Sequence, residues 1–305
     1  MERKMPLIPK GLIPGDTIGI AAPSSPFDFE SFKEGKKVLE SLGFNVSSPQ
    51  GLFNKQGYLA GTDKHRGEII NHLFADSSIK AIFCARGGFG AMKILSFLDY
   101  KAIRKNPKIF VGFSDVTALL SALYTKCRLV TFHGPTICSI SKSPEKTISA
   151  MMLALSSKDK MTLCPKKGVV LNGGVATGSI AGGNLTTLCH LLATPFQQRY
   201  EGKILLLEDR GEAEYRIDRM LTQMMLAGSF NNISGLILGS FEECGSYDKI
   251  LEIFHNTFRN FNIPIIAGFE IGHGVNNLTI PIGVNATLNA DLSLLTFNES
   301  ATLPR

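Results

Sequence analysis

The chain has 305 residues, is 44% hydrophobic and 19% charged, and carries a formal net charge of +6. That length suits two domains with a sizeable core, and the composition excludes a disordered or fibrous chain. The basic residues fall in short runs such as KKVLE, RKNPK and PKKG without aromatic interleaving, so they read as a solvated surface and give no footprint for a nucleic-acid partner.

The start, MERKMPLIPKGLIPGDTIGI, is charged and then broken by prolines and glycines, with no apolar core of a signal peptide. No uninterrupted apolar run reaches the length of a membrane span, so no membrane partner is expected and the location expected is cytoplasmic. DTIGIAAPS (16–24) reads as a strand ending in small residues. SFKEGKKVLESLG (31–43) reads as a helix closed by Gly43, and TDKHRGEIINHLFAD (62–76) as one opened by Thr62 or Asp63. IKAIFCARGG (79–88) is an apolar run stopping at two glycines, and GAMKILSFLD (90–99) is helical in pattern. IFVGFSD (109–115) runs straight into the helical pattern VTALLSALYTK, and LVTFHGP (129–135) is a short strand. This β-α alternation with apolar strands predicts a parallel sheet covered by helices, with ligands at the carboxyl ends of its strands.

Residues 141–170 change character: SKSPEKTISAMMLALSSKDK reads as one helix and then a polar linker. The expected division is therefore 1–140, a linker region 141–170, and 171–305. The second half opens with a glycine turn into a helix, GSIAGGNLTTLCHLLATPF (178–196). KILLLEDRGEAEYRIDRMLTQMMLAGSF (203–230) reads as strand, polar corner and long helix. SGLILGSF (234–241), IPIIAGFEIGHG (263–274), LTIPIGVNATLN (278–289) and LSLLTF (292–297) read as strands, so this half is mixed and rich in β-structure. The six cysteines form no C-x-x-C pair and lie mostly in apolar segments, which predicts buried, reduced thiols and no metal site.

Ser114 is the first residue with chemistry to offer. A serine on a sharp strand-to-helix corner presents Oγ outside the sheet and aims the following backbone amides at whatever is bonded to it. The segment GFSDV lacks the second glycine of G-x-S-x-G, and an N-capping serine is the alternative. A serine nucleophile needs a base. His65, His72 and His255 read as surface residues and His190, in LCHLL, as packed. His133, ending a strand, and His273, flanked by glycines in EIGHGVNN, are the two that could serve. Glu208 closes the apolar strand LLLE and would orient such a base, whereas Asp209 and Glu212 read as solvated or capping groups. The glycines of RGGFG (86–90) match neither a P-loop nor a dinucleotide fingerprint. They suit backbone brought close to a substrate, with the amides of Gly88 and Asp115 as paired oxyanion donors.

Six segments in order closely resemble the LD-carboxypeptidases, the serine peptidase family that also holds the microcin C7 self-immunity proteins. They are GDTIGIAAPSSPFD, GTDKHRGEIINHLFADSSIKAIFCARGGFG, GFSDVTALL, GSIAGGNLTTL, LEDRGEAEYRIDRMLTQM and GHGVNNLTIPIG, and they span nearly the whole chain. The resemblance implies a flavodoxin-like parallel-sheet N-terminal domain and a smaller mixed α/β, β-rich C-terminal domain that swivels against it. It implies a triad of Ser114, His273 and Glu208, an oxyanion hole at Asp115 and, less directly, Gly88, and no cofactor or metal. The implied activity is cleavage of the L,D bond before the terminal D-alanine of murein tetrapeptide in cell-wall recycling, by a cytoplasmic homodimer. A carboxypeptidase must hold a free carboxylate, and Arg86, Arg210 and Arg216 are the arginines nearest the motifs. An immunity-type hydrolase of a peptidyl or aminoacyl nucleotide and a non-enzymatic binding module are the alternatives.

Overall fold

The computed structural model of the protein describes residues 5–304; the charged start, MERK, and Arg305 lie outside them. Strand and helix alternate at first: β1 (Thr17–Ala21), α1 (Phe29–Ser41), β2 (Asn45–Ser47), α2 (Asp63–Ala75), β3 (Ile79–Cys84), α3 (Tyr100–Lys105), β4 (Ile109–Gly112), α4 (Thr117–Cys127) and β5 (Thr131–His133). These five strands are parallel in the order β2-β1-β3-β4-β5. That is the flavodoxin-like order, in which the chain reverses direction across the sheet between β1 and β3 and leaves a crevice at their carboxyl ends.

Local chemistry sets the helix ends. Asp28 accepts from the Ser31 amide at 2.7 Å to open α1, and Gly43, at φ +89°, follows its last residues. Thr62, not Asp63, caps α2, accepting from the His65 amide at 3.2 Å. The segment expected to be helical at 90–99 is a 3-10 helix, Ala91–Phe97, because i, i+3 spacing of apolar residues suits either form. One face of the sheet buries Ile82 and Phe110 against Leu119, Leu123 and the other apolar residues of α2 to α4. The opposite face buries Ile20, Phe83, Val111 and Phe132. Each such side chain contributes about 1.5–3 kcal/mol by leaving water.

Two helices, α5 (Ile137–Ile140) and α6 (Glu145–Ser156), lead on to β6 (Thr162–Leu163), β7 (Val169–Asn172), β8 (Val175–Asn184), α7 (Leu185–His190), β9 (Lys203–Arg210), α8 (Glu214–Leu226), β10 (Gly235–Glu242), α9 (Tyr247–Phe258) and β11 (Ile265–Ala267). Residues 141–170 therefore hold more than a helix and a polar linker. Leu163 and Thr162 pair with β14 (Leu294–Phe297), and β7 pairs antiparallel with β11. The last strands are β12 (Ile280–Ile282) and β13 (Asn285–Asn289) before β14. The second sheet runs β6-β14-β13-β8-β9-β10-β11-β7, parallel from β8 to β11 and antiparallel at both sides.

The stretch 278–289, expected as one strand, is two. Gly283, at φ +101°, and Val284 separate β12, which pairs antiparallel with β5 in the first sheet, from β13, which pairs with β8 in the second. One hydrophobic cluster accordingly runs through both sheets, from Ile18 and Phe132 to Ile180, Leu206 and Ile280. The six cysteines are free; Cys84, Cys127, Cys189 and Cys244 are buried as expected, Cys138 is half-buried, and Cys164 is exposed. No helix among the described residues is long and apolar enough to cross a membrane.

Candidate active site

The carboxyl ends of β1, β3 and β4 carry AAPSS, ARGGFG and GFSD, and they meet the ends of β8 and β9 across one cleft. A cavity of about 220 Å³ opens there, lined among others by Gly88, Ser114, Asp115, Asn184, Arg210 and His273. Ser114 sits on the corner after β4 with φ +64°, in the left-handed region that non-glycine residues seldom occupy. The turn Ser114–Val116 passes directly into α4, so the corner is as tight as the sequence suggested. Strain of this kind raises a side chain out of its sheet and persists only where the surroundings enforce it.

Those surroundings are visible. The Asp115 carboxylate accepts from Ser24 Oγ at 2.6 Å and from the Ala91 amide at 2.8 Å, tying the loops after β1 and β3 to the corner. Burial pushes the Asp115 carboxyl up, and the two hydrogen bonds oppose that rise. Gly87 packs against the corner so closely that a Cβ there would lie 2.9 Å from Ser114 Cβ. Gly88, at φ +114°, leaves no room for a Cβ either, which would fall 2.4 Å from Ser25 Oγ. The Phe89 amide is taken up by Ser25 Oγ at 3.1 Å, while the amides of Gly88 and Asp115 donate to no acceptor among the described residues. From α2, the fully buried Arg66 donates to the carbonyls of Pro23 and Gly90 and pairs with Asp63 at 2.5 Å. It thereby fixes both loops from below.

Across the cleft, Glu208 is fully buried near the end of β9, and its Oε2 accepts from His273 Nδ1 at 2.7 Å. A carboxylate only accepts, so the His273 proton sits on Nδ1 and Nε2 carries the free lone pair. Burial pushes the Glu208 carboxyl up, but the hydrogen bond and charge of the neighbouring imidazoles outweigh it and hold it well below the usual range. His273 Nδ1 lies at hydrogen-bond length from Oε2, whereas His133 Nε2 stands 3.6 Å from Oε1. For His273, burial favours the neutral ring, yet the Glu208 carboxylate prevails and raises its pKa. Gly272, at φ +108°, is required here: a Cβ would lie 2.4 Å from Glu208 Oε2. Ser114 Oγ and His273 both line the cavity, and no hydrogen bond joins them. Such bonds often close only when substrate binds.

The site thus combines a strained serine, a carboxylate-oriented imidazole and unpaired backbone amides. Two families match the chain, the LD-carboxypeptidase N-terminal domain over residues 18–134 and the LD-carboxypeptidase C-terminal domain over residues 177–288. The chain belongs to the LD-carboxypeptidase family. It is 36% identical over 292 residues to a probable murein peptide carboxypeptidase of Bacillus subtilis (strain 168), covering 92% of this chain and 91% of that one. A structure of MccF in complex with glutamyl sulfamoyl guanosine matches with a TM-score of 0.91 at 28% identity, over 98% of this chain and 100% of that one. The muramoyltetrapeptide carboxypeptidase from Oxalobacter formigenes matches with a TM-score of 0.83 at 27% identity, over 95% and 100%.

The three arginines singled out in this LD-carboxypeptidase chain part company. Arg210 lines the cavity and pairs with Glu243 at 2.6 Å. Arg86 is exposed and donates to the Pro26 carbonyl, and Arg216, on α8, pairs with Glu212 before that helix; neither arginine lines the cavity. Asp209 is buried rather than solvated: it accepts from Asn184 Nδ2, the Thr186 amide and hydroxyl, and the Arg210 amide at 2.7–2.9 Å. It thereby braces the start of α7. His190, expected to be packed, is exposed on the cavity wall because it is the last residue of that helix. Sequence reading missed Asn184 and Thr186, although an asparagine before LTTL is a capping signal, and it missed the carboxylate of Asp115 and the buried Arg66.

Proposed function

We propose that this LD-carboxypeptidase removes the terminal D-alanine of murein tetrapeptide through Ser114, His273 and Glu208. The observation that carries the reading is the 2.7 Å bond from His273 Nδ1 to a fully buried Glu208, beside the cavity that Ser114 lines from a strained corner. His273 Nε2 takes the Ser114 proton as Oγ attacks the carbonyl before D-alanine. The buried Glu208 stabilises the imidazolium that results. The Asp115 and Gly88 amides receive the oxyanion. Collapse of the tetrahedral intermediate expels D-alanine, which takes its proton from His273. Water then attacks the acyl-Ser114 ester by the same path in reverse. Among the three arginines, Arg210 is the one on the cavity wall, and it serves as partner for the substrate's free carboxylate.

With this reading go a cytoplasmic homodimer that needs no cofactor, metal, nucleic acid or membrane, and a division into an N-terminal domain at 1–140, a linking region at 141–170 and a C-terminal domain at 171–305. The second reading, hydrolysis of an aminoacyl nucleotide, draws support from the higher TM-score to MccF, 0.91 against 0.83. The murein reading draws its support from the 36% identity to the Bacillus relative. Incubation with murein tetrapeptide and, separately, with an aminoacyl sulfamoyl nucleotide, followed by product masses, decides between them. Loss of one alanine from the tetrapeptide supports the proposal; cleavage of the nucleotide alone replaces it.

A further inference from the structure

His133 takes no part in the mechanism above, yet it occupies a costly position. It ends β5, is fully buried, and neither ring nitrogen has a hydrogen-bond partner. Glu208 Oε1 is also fully buried and also without a partner. Unsatisfied buried polar atoms are rare, because each forfeits its hydration and receives nothing in return. Here two such groups face one another, His133 Nε2 lying 3.6 Å from Glu208 Oε1. An approach of about 0.6 Å would make that contact a hydrogen bond.

The contact also crosses the molecule. His133 belongs to the first sheet, next to Gly112 of the β4 end, and Glu208 to the second. Phe113, the residue before Ser114, lies between the two histidines, with ring centroids 6.0 Å from His133 and 4.9 Å from His273. Gly183 of β8, at φ +138°, allows the close approach, since a Cβ there would stand 3.4 Å from His133 Cδ2 and 2.8 Å from Thr117 Oγ1. Two sheets, both histidines and the corner carrying Ser114 therefore meet around one carboxylate.

Resting on the triad reading, we propose that His133 is a positioning residue: its Nε2–H donates to Glu208 Oε1 and holds the carboxylate so that Oε2 stays on His273 Nδ1. No bond is made or broken by His133. It fixes the rotation of the Glu208 carboxylate from the side opposite His273.

The test compares three variants. His133→Phe keeps a ring and removes the donor. His133→Gln returns an amide N–H near the position of Nε2, and His133→Asn places one nearer Nδ1. Each is measured for kcat and KM on murein tetrapeptide and for melting temperature. The His273 Nδ1 proton is followed by NMR without substrate. Loss of a hydrogen bond to a charged group predicts a kcat lower by about 10- to 100-fold in His133→Phe with KM changed by less than about threefold. The Nδ1 proton resonance should broaden by exchange in that variant. Gln should recover most of both readouts and Asn neither. Equal behaviour of Gln and Asn, or an unaltered Nδ1 proton in His133→Phe, overturns the proposal. The resonance requires no substrate, so wild-type protein inactive on tetrapeptide would sink the activity reading and leave the NMR comparison to decide this one.

Discussion

Replacing Gly87 by alanine adds one methyl group beside the nucleophile and nothing else. Gly87 is buried and is not among the glycines at positive φ, so alanine's backbone is unstrained there. Its Cβ would fall 2.9 Å from Ser114 Cβ and 3.1 Å from Ser114 Oγ. Carbon atoms pack at about 3.5–4.0 Å, so the two segments must part by roughly 0.6–1.1 Å. Rotation of Oγ can relieve the second contact but not the first: Ser114 Cβ is fixed to a strained backbone, and the Asp115 carboxylate ties that backbone to Ser24 and Ala91. A displacement of about 1 Å in a reacting group costs roughly 100-fold in rate. Overpacking by one methyl costs about 1–3 kcal/mol in stability. Steady-state hydrolysis and thermal unfolding measured on one preparation separate the two effects. The expected result is a kcat lower by about 100-fold in a protein that still folds, its melting temperature reduced by several degrees. A kcat within about threefold of wild type would refute the placement of Gly87 against the nucleophile.

The remaining expectations concern pH and substrate. Hydrolysis needs neutral His273, whose pKa Glu208 raises above the ordinary 6.5, so kcat/KM should fall as pH drops through a value above 6.5. Glu208→Gln should move that limb downward, and an unmoved limb would exclude Glu208 as the partner. In stability, the raised histidine contributes fully below its unfolded value of about 6.5 and the lowered carboxylate fully above its unfolded value of about 4.3. The stability gap between wild type and Glu208→Gln should therefore be widest between those pH values, as read from denaturant midpoints. Tetrapeptides ending in L-alanine or D-alanine amide should be turned over at least about tenfold more slowly than the D-alanine form, because each misplaces or deletes a carboxylate held by a charged partner. Arg210→Ala should erase most of the penalty for the amide, and equal turnover of all three peptides by wild type would turn the reading toward a general peptidase.

Much of the first sheet was legible because parallel strands buried on both faces write themselves as apolar runs such as IKAIFC and IFVG, broken by glycine where the chain turns. The proposed positions Ser114, Glu208 and His273 stand out for the same reason: each lies where such a run gives way to small or polar residues. What the pattern hides is partnership. LTIPIGVNATLN alternates as one strand would, and only pairing of Ile280–Ile282 with β5 and of Asn285–Asn289 with β8 divides it between two sheets. His190 and His133 both have apolar neighbours in sequence; one closes a short helix at the cavity and the other is sealed between two sheets. Asp115 was read for its backbone, and its carboxylate proves to brace the loops around Ser114, a role set by Ser24 and Ala91, which are far from it in sequence.

Ser114 is the claim on which the account stands. Mass spectrometry of murein tetrapeptide incubated with wild type and with Ser114→Ala, each shown to be folded by its melting curve, tests it most directly. The account predicts a product shorter by one alanine with wild type, and turnover lower by several orders of magnitude with Ser114→Ala, as loss of a triad nucleophile entails. Turnover by Ser114→Ala within about tenfold of wild type would contradict it.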